Sequence, residues 1–258
     1  MRRMERGFGR SGILALVLVI MLLGLNCAWA ADEEEKPTAN VSVDILNQYV
    51  WRGFALSDHS AVIQPSITGA YKGFSINLWG NLDTDENVNF GEGTGHANWN
   101  ETDLTVAYTH EIYGGLSGNV GFIYYSLVGD DSNEVYAGLS YTFPWFTIGM
   151  TGYREVANFP GWWAQLDLSK NIPLPCNMSL DLSASFGYMS VDKTDYSALH
   201  SGQLMAALNI PIGKIFSLSP RVGYTFPLSD DAQESIRSTS WDAKEQHVFG
   251  GLRLSAAF

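Results

Sequence analysis

Cysteine is nearly absent from the chain. Of 258 residues two are Cys, and one of them, Cys27, falls in an N-terminal stretch built like an export signal. A mature chain left with Cys176 alone can hold neither a disulfide framework nor a thiolate metal cluster. Positive charge is also scarce, with 15 Lys and Arg against 27 Asp and Glu and a net charge of −12. Neutralising phosphates needs the opposite sign, so nucleic acid is excluded as a partner. Long apolar runs are missing after Leu25, and the mean hydropathy is −0.03. A spanning helix takes about 20 apolar residues, so none can be built downstream. Strands that cross a membrane escape this exclusion, because lipid-facing and lumen-facing residues alternate and cancel within any window.

What is present begins with Arg2, Arg3, Arg6 and Arg10, an apolar run from Ile13 to Leu25, and Ala28-Trp29-Ala30 before Ala31-Asp32-Glu33-Glu34-Glu35. A positive region, a short apolar region and a small-x-small site describe a cleaved leader over 1–30. Asn26 before Cys27 is too large for a lipidation site, so lipoprotein processing is the weaker reading. Those 30 residues hold four Arg against Glu5, so their removal takes the net charge from −12 to −15. Residues 31–39 read as a short acidic tail, and 40–258 as one all-β domain.

The last stretch, Gln246 to Phe258, alternates strictly. Val248, Gly250, Leu252, Leu254, Ala256 and Phe258 share one parity; His247, Gly251, Arg253 and Ser255 share the other. An edge strand of a soluble sandwich alternates in the same way. The terminal Phe favours a final barrel strand that pairs with the first and so abolishes both sheet edges. Upstream the scheme repeats: Val41, Val43, Ile45, Tyr49 and Trp51 against Ser42, Asp44, Gln48 and Arg52 in a first strand, Phe74, Ile76 and Leu78 against Ser75 and Asn77 in a third, Leu180, Leu182 and Ala184 against Ser179, Asp181 and Ser183 in a ninth. Twelve such strands can be counted.

An even count leaves both termini on one side. Turns near Lys72, Gly114, Pro144, Pro175 and Gly213 are short, whereas 84–100, 191–201 and 228–244 read as long loops. Aromatics collect at strand ends in two girdles. Tyr49, Trp51, Tyr124, Trp162, Tyr188 and Tyr224 fall toward the long loops; Tyr71, Phe74, Tyr108, Tyr141, Phe143, Phe146, Phe216 and Phe258 fall toward the short turns. Together these features predict a transmembrane antiparallel up-and-down β-barrel of about 12 strands in a bacterial outer membrane, in contact with lipid and lipopolysaccharide. Phe258 is the residue expected to serve recognition by the barrel-assembly machinery.

Asp44 to Asp58, reading D-I-L-N-Q-Y-V-W-R-G-F-A-L-S-D, followed by Gln64-Pro65, Gly73-Phe74 and Trp79-Gly80-Asn81, resembles the opening of the TorF-type porins. Members of this proteobacterial outer-membrane family begin with a Y-x-W-R-G-x-x-x-S-like strand and loop. Beyond Asn81 the likeness is only the alternation and the terminal Phe. The resemblance implies a porin-type barrel and brings no catalytic residue or cofactor.

Hydrolase chemistry has little support. An outer-membrane lipase needs a His and a Ser on one strand face, yet His59-Ser60 and His200-Ser201 are neighbours, which a regular strand sends to opposite sides. His110 has outward parity beside Tyr108 and reads as interfacial; His96 and His247 lack an evident acid and nucleophile. Asp83, Asp85 and Asn87 have calcium-loop spacing, but Val88 and Thr94 stand where such a loop needs Gly and Glu. With Glu86, Glu92, Asp130 and Asp131 they read as solvated acidic loops, with cation bridging to lipopolysaccharide as the second reading.

Inward parity assigns Asp44, Asp83, Glu101, Asp103, Glu111, Glu134, Glu155, Asp167 and Asp181 to the lumen, against Arg52, Lys72, Arg221 and Arg253. Twelve strands lie between the filled eight-stranded barrel and the open sixteen-stranded one. The sequence therefore leaves three alternatives: a narrow channel for small cations or neutral polar solutes, a closed structural or partner-binding barrel, and a lipid-modifying hydrolase.

Overall fold

A computed structural model describes residues 36–86 and 95–258. The leader with Cys27, most of the acidic tail, and Asn87, Val88, Glu92 and Thr94 of the calcium-like loop lie outside the described residues.

The alternating segments form β1 (Thr38–Leu46), β2 (Val50–Trp51), β3 (Phe54–Ala55), β4 (Val62–Tyr71), β5 (Phe74–Asp83), β6 (Asn98–Tyr113), β7 (Leu116–Leu127) and β8 (Ser132–Thr142). They continue as β9 (Thr147–Glu155), β10 (Gly161–Pro173), β11 (Ser179–Val191), β12 (Ser197–Ile212), β13 (Phe216–Pro227), α1 (Asp230–Thr239) and β14 (His247–Ala257). All the strands except β2 and β3 close into one antiparallel barrel of twelve. Closure is made by β1, which pairs with β4 on one side and β14 on the other, so that Asp44 stands opposite both Gln64 and Arg253. Beyond β14, the Phe258 amide and carbonyl both bond Ala39. A sheet with no edge is what hydrocarbon demands, since an unpaired backbone group there has no water to turn to.

The alternation decides the faces. Val41, Ile45, Ile67, Ile76, Leu78, Leu139, Met150, Val222, Leu252 and Leu254 are exposed on the outside, whereas Ser42, Asp44, Gln64, Asn81, Glu101, Glu134 and Ser219 are buried inside. Short turns follow from local chemistry. Lys72 and Gly73 both have positive φ (50° and 80°), as do Gly114 and Gly115 (50° and 87°), the pattern of a two-residue hairpin whose twist matches its strands. At Gly73 a side chain would also meet the Thr109 carbonyl, 2.5 Å from an ideal Cβ.

Three segments differ from the sequence expectation. The first strand does not run to Arg52: β1 ends at Leu46, and 47–61 turn into the barrel as the β2–β3 hairpin, in which Val50 faces Ala55 and Trp51 faces Phe54. Its tip, Arg52 (φ 50°) and Gly53 (φ 96°), repeats the turn chemistry of Lys72-Gly73. The loop expected over 191–201 is shorter, because β12 begins at Ser197. A register shift against β11 between Phe186 and Tyr188 interrupts the alternation there and hides the strand.

The third is α1, inside the connection read as a long loop. Ser229 caps it by accepting from the Ala232 amide, and Asp230 and Asp231 stand in the first turn, where the helix dipole favours negative charge. Its Ala232 and Ile236 are buried against Phe54, with Trp51, Leu56 and Met189 around them. Covering side chains of the size of Ile236 and Phe54 is worth about 1.5–3 kcal/mol each. The Ala55 amide bonds the Ser240 hydroxyl, and the Trp241 amide bonds the Ala55 carbonyl at 2.9 Å. Hairpin and helix therefore make one small apolar core at the long-loop end of the barrel.

Candidate functional site

Arg52 is delivered to the lumen by the hairpin tip rather than by the wall. Its guanidinium makes two hydrogen bonds to Glu134 of β8, at 2.6 and 2.8 Å, a bidentate pairing that fixes orientation as well as charge. Glu134 is further held by the Tyr125 hydroxyl at 2.9 Å. Rings surround the cation: its central carbon lies 4.4 Å from the Trp51 centroid and 5.1 Å from those of Tyr153 and Trp163, within cation–π range. The Ser201 hydroxyl donates to the Arg52 carbonyl. Gly53 is required at the next position, since a Cβ there would stand 2.8 Å from Ser201 Cβ.

A second ion cluster lies across the barrel in strand order. Asp44 of β1 accepts from Arg253 of β14 at 2.6 and 3.0 Å and meets Arg221 of β13 at 3.2 Å. The wall beside it is hydroxyl- and amide-rich: Ser219 donates to Asn209, and Asn209 donates to Asp181. In strand order β13 and β14 stand opposite β7 and β8, so Arg221 and Arg253 form a basic strip facing the acidic one of β6 and β8.

That acidic strip carries Glu101 and Asp103 beneath the buried Tyr49, whose hydroxyl bonds Glu101. Oδ1 of Asp103 is buried without a hydrogen bond among the described residues. Asp167 is held by Gln165, and Asp181 by Asn171 and Asn209, all neutral amides. Asp83 is fully buried at the upper end of β5 and accepts from the Asp85 amide. Glu155 ties down the connection after β9 by accepting from the amides of Ala157, Asn158 and Phe159.

Four expected positions need correction. Tyr49 and Trp51 do not belong to a lipid girdle: Tyr49 is buried and tilted on Trp79 at 5.6 Å, and Trp51 meets Tyr125 edge-on at 6.3 Å. The inward turn of 47–61 carries both rings into the lumen. Lys72 occupies the positive-φ turn between β4 and β5, with its ammonium 5.3 Å from the Tyr71 ring, and so lies at the rim. Glu111 has inward parity but lies exposed at the short-turn mouth, where it accepts from the Gly115 amide. Tyr71, Tyr141, Trp162, Tyr188 and Tyr224 are all exposed. Phe74 and Tyr108 meet at a tilt with ring centroids 4.6 Å apart, and Tyr141 and Phe143 meet edge-on at 4.5 Å.

His200 and Ser201 were expected on opposite faces, and both are buried, because the register shift beside them breaks the parity. No hydrogen bond joins them. His200 Nδ1 bonds the Tyr196 hydroxyl and its ring packs on Phe54 at 4.9 Å, while the Ser201 hydroxyl goes to Arg52. His110 is exposed beside Tyr108, ring centroids 6.2 Å apart. Among the described residues no group of three His, Cys, Asp or Glu is placed to hold a metal ion.

Sequence reasoning missed the hairpin aromatics and α1. Arg52-Gly53 carried a turn signal identical to that of Lys72-Gly73, and Ser229 with Ala232 and Ile236 carried a helix signal.

No family model matches the chain, and no curated protein matches it. Among solved structures it is similar to the KdgM porin in complex with disordered oligogalacturonate, with TM-score 0.53 and 8% identity over 86% of this chain and 99% of that one. It is likewise similar to the NanC porin, with TM-score 0.54 and 9% identity over 84% of this chain and 98% of that one. At such identity the likeness concerns the fold alone, the closed antiparallel β-barrel.

Proposed function

We propose that this chain is a narrow, non-enzymatic outer-membrane channel for small cations and neutral polar solutes. One observation carries the reading: after Arg52 is spent on Glu134, and Arg221 and Arg253 on Asp44, the lumen carboxylates Glu101, Asp103, Asp167 and Asp181 have no ion-pair partner among the described residues. Unbalanced carboxylates between low-dielectric walls concentrate cations and repel anions. The basic strip of Arg221 and Arg253 blunts this preference.

The export signal over 1–30 supports delivery to the outer membrane, and the outward apolar face with its aromatics supports residence there. The TorF-type resemblance over 44–81 supports the same class, and its Trp51-Arg52-Gly53 motif corresponds here to the lumenal hairpin tip. A closed barrel is the second reading, favoured by the packing of Phe54 against Ala232 and Ile236 inside the long-loop end. Purified protein in a planar bilayer decides between them. Discrete cation-preferring current steps support the channel, and silence supports the plug.

A further inference from the structure

Between the hairpin and the walls of β7, β9, β10, β11 and β12 lies a cavity of about 350 Å³, within the span of about 300–1,000 Å³ usual for small-molecule sites. We propose that it is a binding subsite for an uncharged saccharide. It lies in the lumen of the channel proposed above, yet its occupancy can be read without any current.

The lining is of two kinds. Trp51, Tyr125, Tyr153 and Trp163 supply flat apolar surface, of which the Arg52 guanidinium covers one face each of Trp51, Tyr153 and Trp163. Trp163 lies against the backbone of β11 because Gly187 has no Cβ; an added methyl would collide with its indole. Around the rings stand Gln165, Gln203, Ser185 and Ser201. Gln165 is already committed, accepting from the Trp163 indole N–H and donating to Asp167, and the Ser201 hydroxyl is committed to Arg52. Among the described residues, Gln203, Ser185 and the Tyr153 hydroxyl are not drawn into these bonds and stay free for a ligand.

Charge is cancelled at this site. Among the described residues no carboxylate lines the cavity, and the one cation that does, Arg52, is neutralised by two hydrogen bonds to Glu134. A carboxylated solute would have to take Arg52 from Glu134 and leave that acid buried and unpaired, which is costly. A neutral molecule with a flat C–H face and a rim of hydroxyls suits both halves of the lining: rings take the face, and the free amide and hydroxyls take the rim.

The test titrates maltose into the folded full-length barrel in detergent while following tryptophan fluorescence, since Trp51 and Trp163 line the cavity. A saturable change is expected. Gln203→Ala and Tyr153→Phe should each weaken the affinity about tenfold, the loss of roughly one hydrogen bond, with folding checked by strand circular dichroism. Glucuronate is the second arm and should bind more weakly. The absence of a saturable response to maltose would overturn the proposal, as would equal affinity in folded variants or binding of glucuronate alone. Because the readout needs no conduction, a failure here is distinct from a failure of the channel reading.

Discussion

Arg52 and Glu134 are 82 residues apart in sequence and meet through two hydrogen bonds of 2.6 and 2.8 Å, so this pair, with the Ser201 hydroxyl on the Arg52 carbonyl, fastens the lumenal hairpin to the wall of the barrel. Breaking a buried pair from one side leaves an uncompensated charge and costs about 3–5 kcal/mol. Arg52→Ala or Glu134→Gln should therefore loosen the hairpin and raise the unitary conductance. The double variant should lose less than the sum of the singles, since the two residues share one interaction. Equal conductance in all four proteins would mean that the contacts with α1 and β12 hold the hairpin without this pair.

Face assignment is tested by chemistry in the membrane. With Cys176 replaced, cysteine at Leu180 or Leu208 should be shielded from a water-soluble thiol reagent, whereas cysteine at Ser183 or Thr105 should react. In the paired register Leu180 faces Leu208 and Asn77 faces Thr105. Reversed labelling would mean a one-residue slip, which swaps every side chain between faces.

Phe258 closes the account of assembly. Its amide and carbonyl pair with Ala39, and its ring is exposed. Deleting it, or changing it to Asp, should lower the yield of folded outer-membrane protein far more than changing Phe159 in a connection. A carboxylate near the interface costs only about 0–1 kcal/mol, so a large loss would reflect recognition by the assembly machinery. Unchanged yield would contradict that role.

Acid should loosen the connection that carries α1. Burial pushes the Asp242 carboxyl up, but hydrogen bonds from Gln48 and His247 outweigh it and hold the group below its ordinary value. A depressed carboxylate contributes stability that is complete above its unfolded pKa of about 3.9 and is lost as pH falls through the folded value. Hydrogen exchange over 228–246 should therefore accelerate below about pH 4, and Asp242→Asn should remove the pH dependence. Protection that persists through that window in the parent would contradict the anchoring role.

Much of the barrel was legible because its physics is periodic. Alternation in segments such as Ser179–Val191 and His247–Ala257 reports an apolar outside and a polar inside directly. The lumen was less legible, because what fills it is not periodic. Tyr49 and Trp51 continue the parity of Val41 and Ile45, so the pattern runs straight on where the chain turns inward. The signal against that reading was Arg52-Gly53, a turn pair of the kind recognised at Lys72-Gly73. Arg52 was assigned inward, but its partner could not be known, because the pairing with Glu134 depends on a hairpin and a wall distant in sequence. His200 and Ser201 show the same limit: one register shift reverses a parity argument that holds for the rest of the strand.

The most direct test of the central claim is the reversal potential of the purified protein across a salt gradient in a planar bilayer. The account predicts a cation-selective current, with selectivity falling toward neutrality when Asp103 and Asp181 are changed to Asn. Anion selectivity in the parent, or a reversal potential unmoved by those two substitutions, would contradict it.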